Sequence, residues 1–151
     1  MVKVIKADIQ FLDKITPLFD AYRQFYQQES NLADAENFLK ERLEKKESVI
    51  FLALEITTNE ACGFVQIFPI FSSVSMKNAW LLNDLFVTEK HRRKGIASQL
   101  LQAAIQLGKE NNAAFVMLET TVDNKQAQKS YAKNGFEQSG NHFYFHFLSN
   151  S

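Results

Sequence analysis

The residues best placed to do chemistry lie in the stretch WLLNDLFVTEKHRRKGIASQLLQAAIQL, from Trp80 to Leu107. It opens as an apolar, strand-like run through Leu85, Phe86 and Val87, then passes Thr88 into a basic turn, His91-Arg92-Arg93-Lys94-Gly95. Beyond the turn Ala97, Leu100, Leu101, Ala104, Ile105 and Gly108 recur at helical spacing, so a helix begins there. A helix N-terminus carries backbone N–H groups without partners and a partial positive charge, and the two together bind anions. Gly95 has no Cβ and lets the backbone approach a bulky ligand; Ala97 and Ser98 are also small. Arg92, Arg93 and Lys94 add positive charge where guanidinium forks suit phosphate oxygens. A phosphate-bearing ligand is the expectation. The spacing fits neither the phosphate loop GxxxxGK followed by Ser or Thr nor the dinucleotide pattern GxGxxG.

What the turn does match is Arg-x-x-Gly-x-Ala. As Arg92-Arg93-Lys94-Gly95-Ile96-Ala97 after a strand, it resembles the acetyl-coenzyme A binding motif of the GCN5-related N-acetyltransferase (GNAT) superfamily. A second segment, from Asn124 through Ala127 and Tyr131 to Gly135-Phe136, is similar to that family's Asn-x-x-Ala-x-x-x-Tyr-x-x-x-Gly-Phe. The resemblance implies acetyl-coenzyme A as the cofactor. It would be held by the strand end Leu85, Phe86, Val87 and Thr88, whose exposed N–H groups meet the thioester carbonyl and the pantetheine amides. Arg92, Arg93, Lys94, Gly95, Ile96, Ala97 and Ser98 would hold the pyrophosphate. Asn124, Ala127 and Tyr131 complete the set, although Asn124 reads equally well as a helix cap.

The same resemblance casts Tyr131 as the general acid. Ala127 and Tyr131 are four residues apart and share a helix face, and a phenol can protonate a departing thiolate. An amine acceptor must lose a proton before it attacks, so a base is needed as well. Some relatives carry Glu-Asp where this chain has Asn83-Asp84, so the glutamate is absent and Asp84 is the remaining catalytic candidate, with Glu119 behind it. Acceptor contacts are expected from Tyr22, Tyr26, Glu29, Phe71 and Asn83, an aromatic and polar set without a dense acidic patch. That favours acetyl transfer to a small primary amine, amino acid or polyamine-like, by direct attack in a ternary complex. The alternatives are a non-catalytic acyl-coenzyme A sensor and acetylation of a protein or peptide amine.

These residues need elements to position them. Val2 to Lys6 reads as a strand, and Leu12, Ile15, Phe19, Tyr22 and Tyr26 as one helical stripe that Pro17 either kinks or divides. A second helix is expected from Asn31 to Lys46. Val49 to Glu55, Cys62 to Phe71 and Ala79 to Val87 read as an antiparallel meander. Ala114 to Thr120 follows the central helix as a strand parallel to the Trp80 strand. A short helix after Asp123 or Asn124 stops at Gly135. Phe136 to Ser139 and His142 to Leu148 close the chain as a strand pair, and the aromatics on both faces of the last strand suggest a homodimer contact. The expected fold is α+β, of the GNAT acyltransferase type, with a mixed, mostly antiparallel sheet of six to seven strands flanked by about four helices.

Composition sets the outer bounds. A chain of 151 residues with 46% hydrophobic content reads as one domain, 1–151. Seventeen basic and seventeen acidic residues cancel, which argues against nucleic acid as a partner. Cys62 is the single cysteine, so no intrachain disulfide forms and a reducing, cytoplasmic setting is expected. No apolar run is long enough to span a membrane, so no membrane partner is expected. His91, His142 and His146 lack metal-ligand spacing and each reads as a surface or strand residue, and Ser98 lacks the GxSxG of a serine hydrolase, so neither a metal nor that chemistry is expected.

Overall fold

The computed structural model describes residues 1–148. Strand β1 (Val2–Ala7) leads through a 3₁₀ turn into helices α1 (Leu12–Phe25) and α2 (Leu32–Glu44). Strands β2 (Val49–Glu55), β3 (Ala61–Ser72) and β4 (Lys77–Val87) follow, then a 3₁₀ turn Glu89–His91, helix α3 (Ile96–Glu110), strand β5 (Val116–Met117) and helix α4 (Lys125–Lys133). The strands form one sheet in the order β1-β2-β3-β4-β5, antiparallel except for the parallel pairing of β4 with β5.

Two apolar layers sandwich the sheet. On one face Ile50, Leu52 and Phe64 meet Ile15, Leu18 and Phe19 of α1 and Leu39 of α2. On the other, Val65, Ile67, Trp80 and Leu82 meet Leu100, Leu101 and Ala104 of α3. Helix α1 is continuous through Pro17, which sits one turn from its start. It ends where Gln27 takes a left-handed φ of 69° and the Gln28 N–H bonds back to the Arg23 carbonyl. The loop to α2 is pinned by buried Asp20, whose carboxylate accepts from the Ser30 hydroxyl at 2.7 Å, the Asn31 N–H at 2.8 Å and the Gln24 amide at 3.0 Å.

One irregularity decides what β4 presents. Between the pairs Gln66↔Asp84 and Ile67↔Leu82 the register shifts, so β4 carries one extra residue, Asn83. Without it, Asp84 would share a face with Trp80 and Leu82. With it, Leu85 and Val87 pack with Leu82 on the α3 side, while Phe86 packs beneath α1 and Asp84 faces Tyr22 there.

Two expectations need correction. Among the described residues the sheet has five strands rather than six to seven, and residues 137–148 form no ladder. Alternating aromatics offer two apolar faces, but a strand also needs a partner edge, and β5 is only two residues long. Phe143, Tyr144, Phe145, Phe147 and Leu148 are consequently 59–93% exposed. His91 is the second case, because it is buried rather than superficial; a Thr88 hydroxyl 2.7 Å from its Nδ1 draws the ring inward. The ring joins Cys62 and Glu55, with one possible ligand atom from each lying within 4.8 Å of the others.

Candidate active site

Strands β4 and β5 pair only at Trp80↔Val116 and Leu81↔Met117 and then part. The Thr88 N–H bonds the Cys62 carbonyl of β3 at 2.9 Å, and strand alternation turns the Phe86 N–H the same way. The N–H groups of Leu85 and Val87 therefore face the gap left by β5. Of the four strand-end residues expected to offer donors there, two do so, while Phe86 and Thr88 have backbones committed to β3.

A cavity of about 1110 Å³ opens at this gap, walled by the end of β4, the start of α3 and helix α4. Leu85, Phe86, Val87, Arg92, Arg93, Gly95, Ile96, Ala97, Ser98, Asn124, Ala127 and Tyr131 all line it. Thr88 and Lys94 do not. Gly95 is the N-cap of α3 with a φ of 77°, a conformation that favours glycine, and no side chain caps the helix behind it. A Cβ added at Gly95 would meet nothing within 4 Å, so the space beside the helix start is open there. Helix α4, by contrast, is capped by Asn124, whose Oδ1 accepts from the Ala127 N–H at 3.2 Å. Lys125, Lys129 and Lys133 add positive charge to the rim. Arg92 serves differently from its neighbours: its Nε donates to the Val87 carbonyl at 2.9 Å, and its guanidinium lies 5.8 Å from the Phe25 ring and 5.7 Å from the Phe86 ring. It fastens the basic turn to the strand end and to α1.

Tyr131 projects from α4 into the same cavity and packs against Phe136 at 6.1 Å. Burial raises its phenol above the ordinary range and the neighbouring Tyr26 adds to this, so the hydroxyl keeps its proton at neutral pH.

On the other side of β4 lies a smaller cavity of about 270 Å³ under α1 and α2. Phe19, Tyr22, Tyr26, Phe38 and Phe68 make its walls, with Arg23, Gln28, Asn83 and Asp84 as its polar groups. Tyr26 borders both cavities. Asp84 is 3% exposed. Its carboxylate accepts from the Gln66 amide at 2.5 Å and from the Asn83 amide at 2.9 Å, and the Gln66 amide is oriented by the Ser48 hydroxyl at 2.8 Å. The Tyr22 hydroxyl donates to the Asn83 carbonyl at 3.2 Å and sits beside the same carboxylate. Burial raises the Asp84 carboxyl above the usual carboxylate range, and the bonds from Gln66 and Asn83, with the Tyr22 hydroxyl beside them, oppose the rise. Burial and the Asp84 charge in turn hold the Tyr22 phenol well above its ordinary value.

Of the expected acceptor residues, Tyr22, Tyr26 and Asn83 meet in this pocket. Phe71 is 84% exposed near the far end of β3, where it pairs with Asn78, and Phe68 takes its place in the wall. Glu29 is exposed beyond the left-handed turn at Gln27 and contributes only its carbonyl, to Arg23 at 3.4 Å. Gln66 and Ser48 were missed, although a glutamine within the apolar run ACGFVQIFPIF is itself a signal of a buried polar contact. Arg23 was missed because it lies on a helix whose apolar stripe dominates the pattern.

An αL-capped, open helix start beside a strand with free N–H groups, and a second cavity holding a buried carboxylate, together define an acyl-transfer scaffold. Residues 14–136 match the acetyltransferase (GNAT) family, and the chain belongs to it. It is 48% identical over 124 residues, 82% of either chain, to an uncharacterized N-acetyltransferase, YhfO, of Bacillus subtilis. A probable acetyltransferase of Haemophilus influenzae is 36% identical over 103 residues, 68% of this chain and 70% of that one. The crystal structure of a probable acetyltransferase superposes with a TM-score of 0.94 at 41% identity, covering 99% of both chains. The chain is thus an N-acetyltransferase, and the family's acetyl donor is acetyl-coenzyme A.

Proposed function

We propose that the chain transfers an acetyl group from acetyl-coenzyme A to the primary amine of a small molecule, with both substrates bound together. The observation that carries this reading is Asp84: a buried carboxylate at the floor of a small aromatic pocket, next in sequence to Leu85, whose N–H faces the large cavity. The larger cavity suits the donor. Uncapped N–H groups of α3 and the side chains of Arg93 and the α4 lysines would hold its pyrophosphate. The Leu85 and Val87 N–H groups would bond its pantetheine arm and polarise the thioester carbonyl. Acetyl-coenzyme A supplies an activated thioester when bound there.

The remaining work falls to the chain. Asp84 attracts the acceptor's ammonium group and takes a proton from it, leaving a neutral amine to attack. Its raised proton affinity suits that task, because a carboxylate of ordinary affinity is a weaker base. Tyr22 and Asn83 fix the carboxylate's orientation. Tyr131, protonated at neutral pH, gives its proton to the departing sulfur. Tyr26 borders both cavities and would form the wall that the two substrates share. Cys62 takes no part: it is buried at the start of β3, outside both cavities, and burial holds its thiol protonated.

A screen of small amines with acetyl-coenzyme A, reading release of free coenzyme thiol, tests the proposal. Turnover with at least one small amine, lost in Asp84→Asn, is the expected result. No thiol release with any small amine, in a protein that acetyl-coenzyme A stabilises against heat, would overturn it.

A further inference from the structure

The acceptor pocket contains two charged groups of opposite sign. Asp84 lies on its floor, and Arg23 lines it from the last turn of α1. Asp84 is already bonded by Gln66 and Asn83, with Tyr22 beside it, and so is fixed in place. Arg23 is far less committed. One of its terminal N–H groups makes a long bond of 3.4 Å to the Glu29 carbonyl, and among the described residues no carboxylate is ion-paired with it. The nearest acid on its own helix, Asp20, feels the arginine's charge but spends its oxygens on Ser30, Asn31 and Gln24. A guanidinium that lines a cavity with most of its donors free is a fork for a carboxylate.

We infer that the acceptor carries a carboxylate as well as an amine: a free amino acid or similar small amino carboxylic acid, its amine on Asp84 and its carboxylate on Arg23. The inference rests on the acetyl-transfer reading above and narrows it. A diamine or polyamine would bring a second cation toward Arg23 with no second acid in the pocket to receive it. Like charges confined in a half-buried site repel strongly enough to reject such a ligand. The cavity of about 270 Å³ lies below the range typical of drug-sized ligands, which suits a single amino acid better than a peptide segment. The five aromatic walls leave the rest of the acceptor, its side chain, in apolar surroundings.

The test compares three acceptors of matched size in the full chain with acetyl-coenzyme A: an aromatic or branched amino acid, its carboxamide, and a diamine. Wild-type protein should favour the acid over the carboxamide by at least about tenfold in kcat/KM, since a site built to bond a substrate group rejects an analogue lacking it. The diamine should be poorer still. Arg23→Gln should raise KM for the acid more than it lowers kcat and erase the difference between acid and carboxamide, and Arg23→Lys should restore part of it. Retained thermal stabilisation by acetyl-coenzyme A shows that the variants fold and bind the donor. Equal use of acid and carboxamide by wild type, a preference for the diamine, or an unaltered preference in Arg23→Gln overturns the carboxylate assignment while leaving small-amine acetylation standing. Thiol release from none of the amines overturns both.

Discussion

The side-chain amide of Gln66 donates to the Asp84 carboxylate at 2.5 Å across the β3–β4 pairing, inside the sheet and away from water. A hydrogen bond to a charged acceptor favours the charged form, so Gln66 restrains the proton affinity that burial would otherwise raise further. Gln66→Met, close in volume, removes that donor. The acid limb of kcat/KM should then move upward by about one pH unit, the size expected for one lost charge-assisted bond. The pH profile checks this. An unmoved limb would mean that the limb belongs to another group.

Asp84 also links activity to stability with a definite sign. Its folded-state pKa is raised, so its contribution to stability is present below the unfolded carboxylate value and is lost as pH rises through the folded one. Above the folded-state pKa of Asp84 the wild-type chain carries a buried charge that Asp84→Asn lacks. The variant should match or exceed wild type in Tm at pH 8, lose that advantage toward pH 4, and show kcat reduced by about 10²-fold or more. A variant less stable than wild type at pH 8 would place the carboxylate's role in structure rather than catalysis.

Tyr131 separates chemistry from binding. Its hydroxyl is absent from the hydrogen bonds that hold α4, which rest on the Asn124 cap and on Asn134, whose Nδ2 reaches the Ser130 carbonyl and the Ser98 hydroxyl. Tyr131→Phe keeps the ring against Phe136 and removes only the hydroxyl. We expect kcat to fall by about 10²-fold with KM for acetyl-coenzyme A within about twofold of wild type. Thiol-release kinetics provide the measurement, and an unchanged kcat would remove Tyr131 as the acid.

What could be read from sequence divides by the range of the interaction. The Arg92 to Ala97 turn, the Asn124 cap and the stop at Gly135 were legible because each depends on a few consecutive residues. The bulge at Asn83 was not: WLLNDLFV reads as an unbroken strand, and only its pairing with β3 shows the extra residue. Asp84 could be named as a candidate, but its burial and its bond to Gln66, eighteen residues away, are tertiary facts. Phe68 and Phe71 lie in one aromatic run, and the run does not say which end of the strand meets α1. The C-terminal aromatics alternate as a strand should, yet alternation describes faces and says nothing about a partner edge.

Asp20 shapes the acceptor pocket indirectly, through the loop that carries Gln28. Its carboxyl is held below the usual range by the Ser30 hydroxyl first and the Asn31 N–H next, against the effect of burial. A depressed folded-state pKa contributes stability that is present above the unfolded value, near pH ~4, and is lost as pH falls through the folded one. Asp20→Asn should therefore cost about 1–2 kcal/mol at pH 7 and progressively less below pH ~4. Urea midpoints at pH 7 and pH 3 measure it, and a cost equal at both would show that the charge is not what the loop requires.

Gly63 and Gly95 bear on the donor cavity through different physics, and substitution separates them. A Cβ on Gly63 would sit 2.7 Å from the Phe86 carbonyl oxygen and 3.2 Å from Val87 Cα, both backbone atoms that cannot rotate away. Gly63→Ala must push β3 from β4 at the end that orients the Leu85 and Val87 N–H groups, next to the bond from the Thr88 N–H to Cys62. We expect a stability loss of about 1–3 kcal/mol, as for an overpacked core, together with a weaker thermal shift by acetyl-coenzyme A. At Gly95 a Cβ meets nothing within 4 Å, and only the φ of 77° is unfavourable. Gly95→Ala should cost about 1 kcal/mol of backbone strain, and relaxing that strain turns the first N–H groups of α3 away from the cavity. Its donor affinity should therefore fall out of proportion to its small loss of Tm. Reversal of that ranking would move the pyrophosphate away from the helix start.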